Sequence, residues 1–212
     1  DAIMQWLSAN GALYWTYTIM RMIGRVAFPI FCFLLVEGFL HTHDVKKYAM
    51  RLGLFALLSE IPFDLAFSSK ILEFNYQNVF FTLFIGLLTM IAYRAVEEKE
   101  EWGQAWKVIL YILIVAAGMA LAYFLKTDYA EKGVFCIMVL YIFRKKKMWQ
   151  LIAGCASFIW ETPALFGFIP IAFYNGTRGW KMKYFFYIFY PAHLLILYLL
   201  CYFMGISGYS AV

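Results

Sequence analysis

Long apolar stretches broken by short charged clusters run the length of this chain. Counting the stretches between charged breaks predicts eight helices, at residues 18–40, 48–67, 79–93, 106–125, 129–143, 149–160, 163–174 and 184–204. A bilayer crossing takes about 20 residues, so the fifth, sixth and seventh are expected to be tilted, broken or re-entrant. A spanning barrel would show short alternating segments instead. The expected fold class is therefore all-α, a polytopic membrane helix bundle, as a single domain over 1–212. Residues 1–17 precede the first helix as an outer-face segment. They carry Trp6, Tyr14, Trp15 and Tyr17, aromatics that favour membrane interfaces.

Composition agrees with this pattern. The chain has 212 residues, 64% hydrophobic and 15% charged, where a soluble domain is about half apolar and about a quarter charged. The net charge of +5 would suit nucleic acid, but its placement does not. Lys46, Lys47, Arg94, Lys99, Lys107, Arg144, Lys145, Lys146, Lys147, Arg178, Lys181 and Lys183 all fall in the loops after helices one, three, five and seven. The alternate loops hold only Lys70, Lys126 and Lys132. Such a split follows the positive-inside rule and places the start of the first helix outside. The Arg144–Lys147 run is then a cytoplasmic anchor, Glu97–Glu101 is a solvated loop without a role, and no nucleic-acid partner is expected. Cys32, Cys136, Cys155 and Cys201 lie in apolar runs without metal-site or disulfide spacing, so neither is expected.

Charges inside apolar helices cost free energy and usually face a cavity or a partner. Arg25 lies in the outer half of the first helix, with Glu37 and His41 near its inner end. The second helix carries Arg51 low, Glu60 near the middle and Asp64 high. Glu60 and Asp64 are i, i+4 neighbours, and both could meet Arg25, either as a structural ion pair or as part of a site. Asn78 and Thr82 share a face by the same spacing. His193 lies near mid-depth in the last helix; a buried imidazole on a carbonyl and a functional base both fit it. Glu37 and His41 fit helix-end snorkelling equally. His43 and Asp44 read as plain loop. Pro29, Pro62, Pro163, Pro170 and Pro191 break or kink helices, which favours an internal chamber. No GxSxG, Walker or HExxH motif is present, so an enzyme here would work by direct transfer with a histidine or carboxylate base.

Several stretches resemble the TraX family of membrane proteins, named for the pilin N-acetylation protein of conjugative plasmids. They are Ile23–Phe39, Tyr48–Leu52, Ser59–Leu65, Gln77–Leu83, Asp128-Tyr129 with Gly133, Tyr174–Gly176 and Phe189–His193. They occur in the family's order over nearly the whole chain. The resemblance implies a place among transmembrane acyltransferases, a group that includes the lysosomal heparan N-acetyltransferase type. A protein of this kind sits in the bacterial inner (cytoplasmic) membrane as a multi-pass chain. It takes an acetyl group from cytoplasmic acetyl-CoA and gives it to an amine or hydroxyl presented from the far side, on an exported peptide, a pilin or a glycan. The family has an extra first helix ending in Asp-His-Ile, whose histidine is the expected base. Here the chain begins Asp1-Ala2-Ile3, with Ala2 in the histidine's place and that helix absent, so a silent or truncated form is expected.

On this basis the catalytic set comprises Asp1, Ala2, Arg25, Glu60 and Asp64, with His193 as the alternative base. Lys47, Arg51, Arg178 and Lys183 are expected at the CoA phosphates, which arginine grips in a bidentate way. Glu37, His41, Asn78 and Thr82 are expected around the substrate. Asn78 or Thr82 would stabilise the oxyanion, a role worth about 3–4 kcal/mol per donor. No metal is expected. A transporter or flippase, or a non-catalytic pilus or peptide assembly factor, would explain the kinked helices and buried charges as well.

Overall fold

The structure is a computed structural model, and it describes residues 11–68, 73–177 and 183–203. Among these are eight α-helices, α1 (Gly11–His41), α2 (Val45–Ser68), α3 (Val79–Glu97), α4 (Gln104–Phe124), α5 (Ala130–Ile142), α6 (Lys147–Ser157), α7 (Phe168–Phe173) and α8 (Lys183–Phe203). A 3₁₀ helix, η1 (Thr162–Gly167), leads directly into α7. The protein is an all-α helical bundle. Each expected helix is present, and the seventh is broken as expected, into η1 and α7. One boundary differs substantially. Residues 11–17, expected as an outer-face segment, continue α1 as helix, since Ala12 and Leu13 are strong helix formers and no proline interrupts the segment.

Segments within α1, α3 and α4 are long and apolar enough to cross a membrane. Exposed Ile112, Leu113, Leu197 and Phe203 add lipid-compatible surface. These features mark a membrane protein. The helices differ in how much of their surface other helices cover. On α5, Gly133, Val134, Cys136, Ile137, Met138, Leu140 and Tyr141 are all buried, so apolar neighbours surround it. On α4 only Gly118 and Ala122 are buried, and its apolar remainder faces outward. The core therefore centres on α5, with α1, α3, α4 and α6 around it and α2 and α8 packed beyond α3.

Two places explain how the bundle closes. At Gly133 a Cβ would lie 2.4 Å from Thr82 Cγ2 and 2.7 Å from Tyr129 Cβ, so α5 meets α3 only without a side chain there. At Gly167 a Cβ would lie 2.6 Å from the Val26 carbonyl oxygen and 2.7 Å from Pro29 Cγ, so η1 rests on the backbone of α1. At one end of the bundle, the C-terminus of α1 meets that of α3, with Arg94 over the Phe39 ring at 5.5 Å. This basic end also holds Arg144, which donates two bonds from Nη2 to Glu97, at 2.7 and 2.9 Å, and one from Nη1 to the Tyr141 carbonyl. Glu97 is therefore not part of an idle loop. It ends α3 and pins it to the turn after α5. Asp44 also has a role that the loop assignment missed. Its Oδ1 accepts the Lys47 amide at 2.9 Å and caps α2. That contact holds its carboxyl below the usual range, aided by the Lys47 ammonium.

Candidate functional site

The opposite end holds a cavity of about 430 Å³. Its walls come from α1 (Arg21, Arg25), the turn before α3 (Tyr76), the start of α5 (Asp128 to Lys132) and the turn after α6 (Trp160, Glu161). Three carboxylates, Asp128, Glu131 and Glu161, face three cations, Arg21, Arg25 and Lys132, in a chain that is otherwise strongly apolar. The elements around these groups differ in length. An 11-residue helix such as α6 rises about 16 Å, while α1 with 31 residues rises about 46 Å. The first residue of α1 is thus well beyond Arg25, and the cavity is set in from that helix's end.

Arg25 donates to Glu161 in an ion pair that closes one wall; their side chains are 37% and 13% exposed. Gly167 makes this pairing reachable, because the close approach of η1 to α1 brings the preceding turn against Arg25. Lys132 lies 5.1 Å above the Trp160 ring, whose Nε1 donates to the Ser157 carbonyl at 2.8 Å. Tyr129 lines the cavity and stacks in parallel on the buried Phe28 ring at 3.5 Å. On the far wall the Tyr76 hydroxyl donates to Asp128 Oδ1. Burial pushes the Asp128 carboxyl up, and the Tyr76 bond opposes that rise. Burial and the neighbouring carboxylate push the Tyr76 phenol up as well.

Below Tyr76 lies a second polar group. Asn78 caps α3, accepting the Phe80 amide at 2.9 Å, while its amide donates to the Ala56 carbonyl and to Glu60 Oε2. Asp64 Oδ2 accepts the Glu73 amide at 2.8 Å. Ser59 Oγ, Glu60 Oε1 and Asp64 Oδ1 are buried without a hydrogen-bond partner among the described residues. Tyr190 of α8 lies within electrostatic reach of both Glu60 and Asp128, and the Val79 amide faces its hydroxyl.

The expected meeting of Arg25 with Glu60 and Asp64 is therefore corrected. Glu161 takes Arg25, and the two α2 carboxylates bind the start of α3 and the Glu73 amide. The i, i+4 spacing on α2 set those carboxylates near each other but could not reveal a partner 136 residues away. Asn78 as an oxyanion donor is corrected too, since both its amide hydrogens already bond Ala56 and Glu60. Thr82 is fully buried, its hydroxyl oxygen facing the Tyr129 amide at 3.5 Å.

Glu37 and His41 lie at the basic end, away from the cavity. His41 Nδ1 is 2.9 Å from the Glu37 carbonyl, and the Tyr174 hydroxyl faces the Glu37 carboxylate. Lys47 pairs with Asp44 at 3.1 Å. Arg51, one turn on, lies against Tyr187 of α8, and its Nε is buried without a partner among the described residues. His193 Nδ1 is 2.9 Å from the Phe189 carbonyl, its ring stacked on Phe189 at 5.0 Å and outside the cavity lining. Lys183 opens α8. Asp1, Ala2 and Arg178 lie outside the described residues.

Site reasoning from the sequence missed Tyr76, Asp128, Lys132 and Glu161. Glu161 carried the same signal that singled out Glu37, a lone acid in an apolar run. Asp128 stood in a recognised stretch but was given no role. The family model described as TraX protein matches residues 9–201. "Probable fimbrial assembly protein FimC, serogroup H1" of Dichelobacter nodosus is similar, 27% identical over 217 aligned residues that cover 86% of this chain and 83% of that protein. No solved structure matches. With nearly all of its length matched, the chain belongs to the TraX family.

Proposed function

We propose that this protein is a multi-pass acyltransferase of the bacterial inner membrane that moves an acetyl group from acetyl-CoA to an amine held in the cavity. The observation that carries the proposal is the cavity itself, about 430 Å³ of mixed charge at one end of an apolar bundle. Its size is within the range of small-molecule sites, about 300–1,000 Å³. Ionisable groups at membrane depth mark substrate paths. By the positive-inside rule the basic end faces the cytoplasm. The cavity then opens on the far side, where an exported acceptor arrives. An acceptor ammonium finds carboxylate partners there in Asp128 and Glu161.

At the basic end the residues present fit a phosphate group. Arg51 has a buried Nε with no partner among the described residues, Lys47 precedes it by one turn, and the Tyr187 hydroxyl steadies its guanidinium. Arg51 and Lys47 would hold the phosphates of acetyl-CoA, which supplies the acetyl thioester. Around the acceptor, Arg25 and Glu161 keep one wall in place while Phe28 and Tyr129 exclude water from below.

A second reading is a fimbrial assembly factor that binds an exported subunit without modifying it, favoured by the name of the Dichelobacter nodosus relative. Purified protein in nanodiscs, given labelled acetyl-CoA and a peptide with a free N-terminal amine, separates the two. Acetyl transfer, with acetyl-CoA binding weakened at least tenfold by Arg51→Ala, supports the enzyme. Peptide binding with neither transfer nor acetyl-CoA binding supports the assembly factor.

A further inference from the structure

We propose that Asp128, braced by Tyr76, takes the proton from the acceptor amine, so that the described lining of the cavity carries its own base. The inference rests on the acyl-transfer reading above. It starts from the backbone. Lys126 and Ala130 both adopt left-handed conformations, with φ of 52° and 43°, two residues before and two after Asp128. Non-glycine residues in that region cost about 1–3 kcal/mol each and persist only where their surroundings over-determine them.

Those surroundings are specific. The Gln77 amide donates to the Lys126 carbonyl at 3.0 Å, within an isolated bridge between Gln77 and Thr127. Lys126 Nζ donates to Asn75 Oδ1 at 2.9 Å, and the Ala130 amide donates to the Thr127 carbonyl at 2.8 Å. The turn before α3 and the turn before α5 are thereby tied together. The result is a fixed carboxylate whose Oδ1 accepts from the Tyr76 hydroxyl, the hydrogen bond that bears on its acidity.

The groups that face Asp128 set its chemistry. Tyr76 comes from the turn before α3, and Tyr190 lies within electrostatic reach from α8. Across the cavity stand Arg21 and Arg25 of α1, Glu161 before η1 and Glu131 of α5. Glu161 neutralises Arg25, so that pair does little to depress the acid. Burial raises the Asp128 carboxyl from its ordinary range, toward the values suited to a base.

The step balances as follows. The acceptor enters as an ammonium, and Oδ2 of the Asp128 carboxylate takes one proton from it. The neutral nitrogen attacks the thioester carbonyl carbon. The C–N bond forms, the C–S bond breaks, and the sulfur leaves with its electron pair and takes the second nitrogen proton as a thiol. Asp128 then releases its proton to water in the cavity, so each turnover yields one amide, one thiol and one proton.

The test compares two acceptors of different basicity. Asp128→Asn keeps an oxygen for the Tyr76 hydroxyl but cannot take the proton. For a simple alkylamine acceptor, kcat should fall at least a hundredfold. Acetyl-CoA binding and thermal stability should stay near wild type. With methoxyamine, which is already neutral at pH 7, the deficit should shrink to a few-fold. Tyr76→Phe removes a bond that favours the carboxylate, so the acidic limb of the rate should move to higher pH. An Asp128→Asn deficit equal for both amines, or a wild-type rate, would overturn the proposal. If Asp128→Asn does not fold, an unmoved limb in Tyr76→Phe overturns it instead. Wild-type protein that acetylates no amine would sink the acyltransferase reading itself, and this inference with it.

Discussion

The two ends of the bundle use charge differently. At the basic end, Arg144 Nη2 bonds both oxygens of Glu97 with Arg144 only 13% exposed, and Arg94 pairs with Glu98 at 2.9 Å while lying over the Phe39 ring. Those charges close helix ends and joints and surround no space. At the other end, Arg25, Asp128, Glu161 and Lys132 are braced one by one from behind, by Gly167 packing, a strained turn and an indole, and they line a cavity. A buried charge pair in an apolar bundle is therefore not in itself a mark of function. Its role follows from whether its partners close a helix joint or frame a space.

That contrast can be broken by substitution. The largest effect on stability is expected at the basic end. Arg144→Ala leaves Glu97 with only the solvated Lys145, at 4.0 Å, and should cost about 3 kcal/mol, the low end for breaking a buried pair. Arg144→Lys should recover part of that, since one nitrogen makes both bonds to Glu97, while the bond to the Tyr141 carbonyl and the stacking on its ring are lost. Both changes should leave acceptor affinity alone, as thermal unfolding in detergent and transfer assays together will show. Gly167→Ala comes next, at about 2 kcal/mol, within the range for overpacking. Here the added methyl pushes against the Val26 carbonyl, a backbone atom that cannot rotate away. It should displace η1 and so also weaken acceptor binding.

Glu161→Gln should be smaller in stability, about 1 kcal/mol, because Arg25 is partly solvated. It should raise the acceptor KM severalfold, the reverse of the Arg144 pattern. The smallest effect is at Asp44. Its carboxyl is held below the usual range in the folded protein, so the stability it contributes is present above the unfolded value, about pH 4. That stability is lost as pH falls through the folded value. A slightly steeper acid decline in wild type than in Asp44→Asn, followed by thermal unfolding between pH 5 and pH 3, would show it.

Most of the helical layout was legible in the sequence, because apolar runs bounded by charges report helices directly. The extension of α1 through Gly11 was not, since residues 11–17 look interfacial and nothing local distinguishes an interfacial coil from a helix end. The site was less legible. Glu60 and Asn78 were singled out and do meet, but as a cap and its support. Arg25 was singled out with the wrong partner, because an i, i+4 rule sees neighbours on one helix and the Glu161 contact depends on Gly167 meeting Pro29. Asp128 stood in plain view. Its distinction is a pair of left-handed residues, Lys126 and Ala130, that no composition or spacing announces.

The most direct test of the account places the two substrates on opposite sides of a membrane. Protein in proteoliposomes receives labelled acetyl-CoA on the side of the basic end and an amine peptide on the side of the cavity. The account predicts labelled peptide, with yield reduced severalfold by Glu161→Gln at limiting peptide. Label that never reaches the peptide, while the peptide still binds, would contradict it.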